Sequence, residues 1–171
     1  MPKGFTLIEI ILVLAIFSVL SVAGIESITE FQKSALLRGT SDEFAAALRS
    51  ARTKSINGEL LEGEKPEDFS NDGLPIYGVK TDSSSYTLFR CYQLVDQPPN
   101  PCPPVLEKDK EDYELSPQLY FFVNNKVIFQ RISGSPVCDS SPCQFIVKRK
   151  NSSDKSDESK IDITNVGVVK E

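Results

Sequence analysis

The chain of 171 residues contains no histidine. This removes the usual general base near neutral pH, the usual nucleophile activator and the commonest zinc ligand together. No paired carboxylates stand out to replace them, so the composition argues against an enzyme, and neither a metal nor a cofactor is expected. An excess of basic charge is also missing. With 19 Lys and Arg against 24 Asp and Glu, the net charge is −5 and the pI near 4.9, which argues against a nucleic-acid footprint. No CxxC knuckle favours a four-cysteine zinc site, and no EF-hand spacing is present for calcium. Proline is absent between Phe5 and Pro66, so nothing forces a break in a helix there.

What is present is unevenly spread. Hydrophobic residues make up an ordinary 40% of the chain, yet they are densest in its first quarter. From Phe5 to Ile25 the only ionisable side chain is Glu9. That run of about 21 helical residues spans about 31 Å, enough to cross the hydrocarbon core of a bilayer. A secretory signal would have a shorter apolar stretch and a clear small-residue cleavage site, and Ser21-Val22-Ala23-Gly24 offers only a loose one. A plain single-pass anchor gives no reason for a carboxylate five residues into the block. An ionised carboxylate in lipid is costly and usually has a partner, but the next basic residue is Lys33. A cut between Gly4 and Phe5 would create an α-amino group at Phe5, four residues before Glu9. In a bundle of staggered copies, that amine of one subunit can meet Glu9 of another.

Gly4-Phe5-Thr6-Leu7-Ile8-Glu9 resembles the cleavage and methylation signature of type IV prepilins and of the pseudopilins of type II secretion. The resemblance implies cleavage after Gly4 by a prepilin peptidase, N-methylation of Phe5 and a role for Glu9 in docking an incoming subunit. It implies further partners: other pilin or pseudopilin subunits, an inner-membrane assembly platform, and the lipid bilayer before assembly. Many major pilins carry a glycine and a proline within this helix, where this chain has Ser18 and Glu26, so a continuous helix is expected. The single basic leader residue, Lys3, suffices for a cytoplasmic N-terminus.

After Ile25 the pattern turns amphipathic. Ile28, Phe31 and Ala35 form one stripe, and Phe44, Ala45, Leu48, Ala51 and Ile56 continue at helical spacing. Asn57-Gly58 is the expected stop. A continuous helix from Phe5 would be roughly 80 Å long; two helices joined near Gly39 are the alternative. The stretch from Phe44 to Arg52, and the closing residues from Ile161 to Val169, also resemble the pseudopilin H/FimT group, which suggests a minor component.

The remainder reads as strands between turns: Ile76–Lys80, Tyr86–Tyr92, Gln118–Val123, Lys126–Ile132, Gln144–Arg149 and Lys160–Lys170, the last split near Asn165 to Gly167. Asp82 to Ser85 links the first two as a hairpin. Asn124-Asn125 is the strongest further hairpin signal, because Asn tolerates positive φ. The proline-rich stretch Val95–Pro104 and the charged stretches Glu107–Glu114 and Asn151–Lys160 read as solvated loops. The expected class is α+β: a long N-terminal helix, its N-half transmembrane, on an antiparallel sheet or small β-sandwich. The expected divisions are a leader at 1–4, a membrane or filament-core half-helix at 5–25, an amphipathic half-helix at 26–57 and a β domain at 58–171.

Four cysteines, Cys91, Cys102, Cys138 and Cys143, allow three pairings. Adjacency favours Cys91–Cys102 and Cys138–Cys143, with four reduced thiols as the alternative. Disulfides would place the domain outside the cytoplasm. The functional expectation is a filament subunit that starts in the inner membrane and ends in a periplasmic or extracellular filament. Two rivals are a type II secretion pseudopilin and a tethered binding domain that never polymerises.

Overall fold

The computed structural model describes residues 6–60, 64, 75–92, 108–150, 152 and 157–170; the side chains of 22–27, 92, 108 and 109 are outside the description. The expected leader, Phe5 and the proline-rich stretch Val95–Pro104 fall outside it. The chain divides into two compact units, Met1–Leu36 and Leu37–Glu171.

A single helix, α1, runs Leu7–Asn57. No proline interrupts its hydrogen-bond ladder, and Gly39 is tolerated within it. It stops at Gly58, whose φ of 58° suits glycine in the left-handed region that ends helices.

Among the described residues the second unit holds nine strands in two antiparallel sheets. In chain order they are β1 (Pro75–Asp82), β2 (Ser85–Tyr92), β3 (Lys108–Glu114), β4 (Leu119–Phe121), β5 (Lys126–Phe129), β6 (Pro136–Cys138), β7 (Gln144–Arg149), β8 (Glu158–Ile163) and β9 (Val169–Lys170). One sheet has the order β3-β2-β1-β5-β6 and the other β4-β7-β8-β9. The α+β class is therefore observed, with two sheets. The β1–β2 hairpin turns through Ser83-Ser84, with Asp82 opposite Ser85.

Phe44 joins helix to both sheets. Its ring is fully buried and meets Tyr86 of β2 at 5.0 Å, Phe121 of β4 at 4.9 Å and Phe145 of β7 at 5.1 Å, all edge-on. Ala45, Leu48 and Ala51 are also fully buried, and so is Ser55. The Ser55 hydroxyl donates to the Tyr77 carbonyl at 3.2 Å and accepts from the Tyr77 amide at 2.7 Å. A buried hydroxyl thus serves backbone groups of β1 that would otherwise be costly to bury. The Ser41 and Ser159 hydroxyls, 2.6 Å apart, join the helix to β8.

Four expectations are corrected. Ile28, Phe31 and Ala35, expected to be a covered stripe, are exposed. By sequence spacing alone, Phe31 and Phe44 fall about 140° apart at 100° per residue, so the two groups never formed one stripe. Lys108–Glu114, read as a loop, is strand β3. Among the described residues it pairs only with β2, as an edge strand, and charge at an edge guards it against unwanted pairing. Glu158–Lys160, read within a loop, opens β8, where Lys148 pairs with Glu158 at 2.8 Å.

Asn124-Asn125, the fourth, is no hairpin. β4 belongs to one sheet and β5 to the other. Asn125 is buried and stitches the two together. Its backbone carbonyl accepts from the Thr81 amide at 2.8 Å, and its side-chain amide donates to the Gln144 carbonyl at 3.1 Å. The same Asn chemistry that suits a turn here spans a gap between sheets.

Candidate assembly segment

Thr6 and Glu9 build the start of α1. The Glu9 carboxylate accepts from both the amide and the hydroxyl of Thr6, each at 2.9 Å to Oε2. In return the Glu9 amide donates toward the Thr6 hydroxyl at 3.4 Å and the Thr6 carbonyl at 3.1 Å. This reciprocal pattern is a capping box, with Thr6 as the cap and Glu9 three residues on. The carboxylate also sits where the helix dipole is positive. Glu9 therefore has donors within its own chain, a role that the spacing T-x-x-E in the sequence could have disclosed. Among the described residues from Thr6 to Ser21, it is the only ionisable one.

From Leu7 to Ser21 every residue is exposed. Ile8, Ile11, Leu12, Ala15, Ile16 and Val19 form one apolar face, while Leu7, Leu14 and Phe17 extend the apolar surface around the helix. A helix apolar on all sides is built for burial in lipid or among other helices. Its two described serines are satisfied internally: Ser18 donates to the Ala15 carbonyl and Ser21 to the Phe17 carbonyl, both at 2.8 Å. Such back-bonding lets hydroxyls sit in an apolar medium at little cost. Among the described residues no helix is long and apolar enough to cross a membrane, so the structure does not bear out a transmembrane N-half. The described apolar stretch ends at Ser21, short of the roughly 17–25 residues a span needs, and the side chains of 22–27 are outside the description.

Against this geometry stands the comparison with known families. The chain carries a prokaryotic N-terminal methylation motif, matched over residues 2–25. It is the prepilin motif of type IV pilins and pseudopilins, and it implies processing by a peptidase and assembly with other pilin subunits. No curated protein and no solved structure matches the chain. Gly4 and Phe5, the expected cleavage pair of the prepilin motif, lie outside the described residues, and Glu9 stands in the first turn just after them.

The cysteines behave as structural staples. Cys138 and Cys143 are bonded, with Cα atoms 5.7 Å apart. Cys138 ends β6 in one sheet, and Cys143 immediately precedes β7 in the other, where its carbonyl accepts from Ile163 at 2.9 Å. The bridge therefore closes the crossing between sheets. Cys91 is also disulfide-bonded, and Cys102 lies outside the described residues. No cluster of possible metal ligands occurs among the described residues.

Two ionic features of the β unit had no recognisable signal in the sequence. Arg90 is buried and holds Glu64 through two hydrogen bonds of 2.6 and 3.0 Å, tying the segment after α1 to β2. Arg52 on α1 donates to the Gly134 carbonyl at 3.4 Å and to the Val166 carbonyl at 3.1 Å.

Proposed function

We propose that this chain is a minor subunit of a type IV pilus-like filament and has no enzymatic role. It is cut after Gly4, N-methylated on Phe5 and held in the bilayer by its N-terminal helix before assembly, with the domain from residue 58 outside the cytoplasm. The observation that carries this reading is the prepilin motif at residues 2–25 at the start of a helix whose residues from Leu7 to Ser21 are exposed throughout and apolar on every side. Burial of that surface among neighbouring helices drives assembly, at roughly 25 cal/mol per Å² of apolar area.

Glu9 sets the register. The Thr6 cap holds its carboxylate at the start of the helix, four residues after the new amine at Phe5. An incoming subunit whose Phe5 amine reaches that level exchanges an isolated charge for a pair in a medium of low dielectric. Disulfides in the β unit and the likeness to the pseudopilin H/FimT group support a minor component over a shaft subunit.

Glu9→Ala should leave membrane insertion intact and block incorporation into sheared filaments. Normal incorporation of that variant would remove the mechanism. The prepilin motif also serves type II secretion pseudopilins; recovery of the chain only from a secretion complex, never from sheared surface fibres, would favour that role.

A further inference from the structure

Glu9 uses its two carboxylate oxygens unequally. Oε2 accepts from the Thr6 amide and from the Thr6 hydroxyl, both at 2.9 Å. Among the described residues nothing donates to Oε1. The side chain is exposed, as is every residue from Thr6 to Ser21. Capping the helix requires less than this. A capping box needs the cap hydroxyl as an acceptor for the Glu9 amide, here at 3.4 Å, and the carboxylate as an acceptor for the cap amide. The hydroxyl proton given to Oε2 is a further bond, which a hydroxyl can make because it donates as well as accepts.

That additional bond fixes the plane of the carboxylate. The last torsion of a glutamate side chain is broad when nothing holds it. Two donors on Thr6, one from the backbone and one from the side chain, hold Oε2 against the start of the helix. Oε1, on the same carbon, is then directed away from Thr6. In an apolar medium a carboxylate oxygen without a donor is costly. The surrounding side chains from Leu7 to Phe17 are apolar, so the donor has to come from another chain.

We propose that Thr6 is a positioning residue for subunit docking: its hydroxyl aims Oε1 of Glu9 at the α-ammonium of an incoming pilin-type subunit, a task separate from capping the helix. The proposal deepens the filament reading above and rests on it. The ammonium meets Oε1 while both Thr6 bonds stay on Oε2, so docking adds a charge-assisted hydrogen bond and breaks none. Without the hydroxyl the carboxylate turns on a single backbone bond, and the oxygen that receives the amine is no longer held in one place.

The test compares Thr6→Ser and Thr6→Gly in the full chain, each replacing the native copy in filament-forming cells. Serine keeps the hydroxyl. Glycine removes it yet caps a helix nearly as well as threonine, so amide exchange at residues 8–10 in micelles should stay within about twofold of the parent. N-terminal mass spectrometry checks that each chain begins at Phe5. Quantitative mass spectrometry then gives the ratio of chain in sheared filaments to chain left in membranes. Thr6→Ser should match the parent, and Thr6→Gly should lower the ratio about tenfold, as the loss of one hydrogen bond to a charged group predicts. An unchanged ratio for Thr6→Gly, an equal loss in Thr6→Ser, a loss matched by faster amide exchange, or a loss traced to chains that retain Met1 would overturn the positioning role and leave the filament reading standing. Absence of the parent chain from sheared filaments would overturn both.

Discussion

Phe44→Ala tests whether the outer half of α1 is a true layer of the β unit. The ring is fully buried and touches three other rings on β2, β4 and β7 at 4.9–5.1 Å. Truncating a buried Phe costs about 3–5 kcal/mol, depending on how far the walls collapse. Here the walls are rings fixed on separate strands of two sheets, so little collapse is available. Each edge-on aromatic pair adds roughly 0.5–1.5 kcal/mol beyond area burial, which places the expected loss near the middle of that range or above, about 4 kcal/mol. For a domain with a total of roughly 5–15 kcal/mol this is a large fraction. Guanidinium unfolding of the full chain in detergent micelles, followed by circular dichroism, should show the midpoint falling by about 1 M with the slope unchanged. Phe31→Ala is the control. Phe31 is 74% exposed, and its loss should change stability by less than about 0.5 kcal/mol. If the two variants differ by less than about 1 kcal/mol, Phe44 does not tie the helix to the sheets as described.

Three further outcomes follow from the same contacts. Replacing Cys138 and Cys143 together by serine opens a loop of sequence separation 5, for which chain entropy gives a cost of roughly 2 kcal/mol; unchanged urea midpoints would refute this. Burial, and secondarily the Glu43 carboxylate, pushes the Tyr86 hydroxyl up to about 12 from its ordinary 10. The fold therefore favours protonated Tyr86, a contribution complete below pH 10 and lost as pH rises toward about 12. Tyr86→Phe should flatten the fall of stability across that window, and an identical fall in both proteins would count against it. Thr6→Ala should cost the first turn of α1 about 1 kcal/mol, seen as faster amide exchange at residues 8–10 in micelles; unaltered exchange would show that the cap is not formed.

Much of the architecture was readable because it follows from local chemistry. The uninterrupted helix followed from the absence of proline, and the β1–β2 hairpin from Asp82-Ser83-Ser84-Ser85. What was not readable depended on long-range partners. β3 looks like a loop because its charges belong to an edge, and nothing local announces which strand is an edge. Asn125 looked like a turn residue because its tolerance of unusual backbone and its capacity to bridge two sheets use the same side chain. Ile28 and Phe31 read as a covered stripe yet are exposed, because apolar character says that a side chain wants a partner, not where that partner is. At the assembly segment the motif around Gly4, Phe5 and Glu9 stands out in the sequence, and the spacing T-x-x-E carries the capping role of Thr6 as well. The clamp formed by Arg52 required the fold itself, since its two carbonyl partners lie far away in sequence.

The claim on which the account turns is that Phe5 becomes the first residue. Intact-mass and N-terminal peptide mass spectrometry of the chain purified from its own membranes or filaments measures this directly. The account predicts a chain beginning at N-methylated Phe5, with residues 1–4 gone and Cys138 linked to Cys143. A chain that retains Met1, or one cut near Gly24, would contradict it.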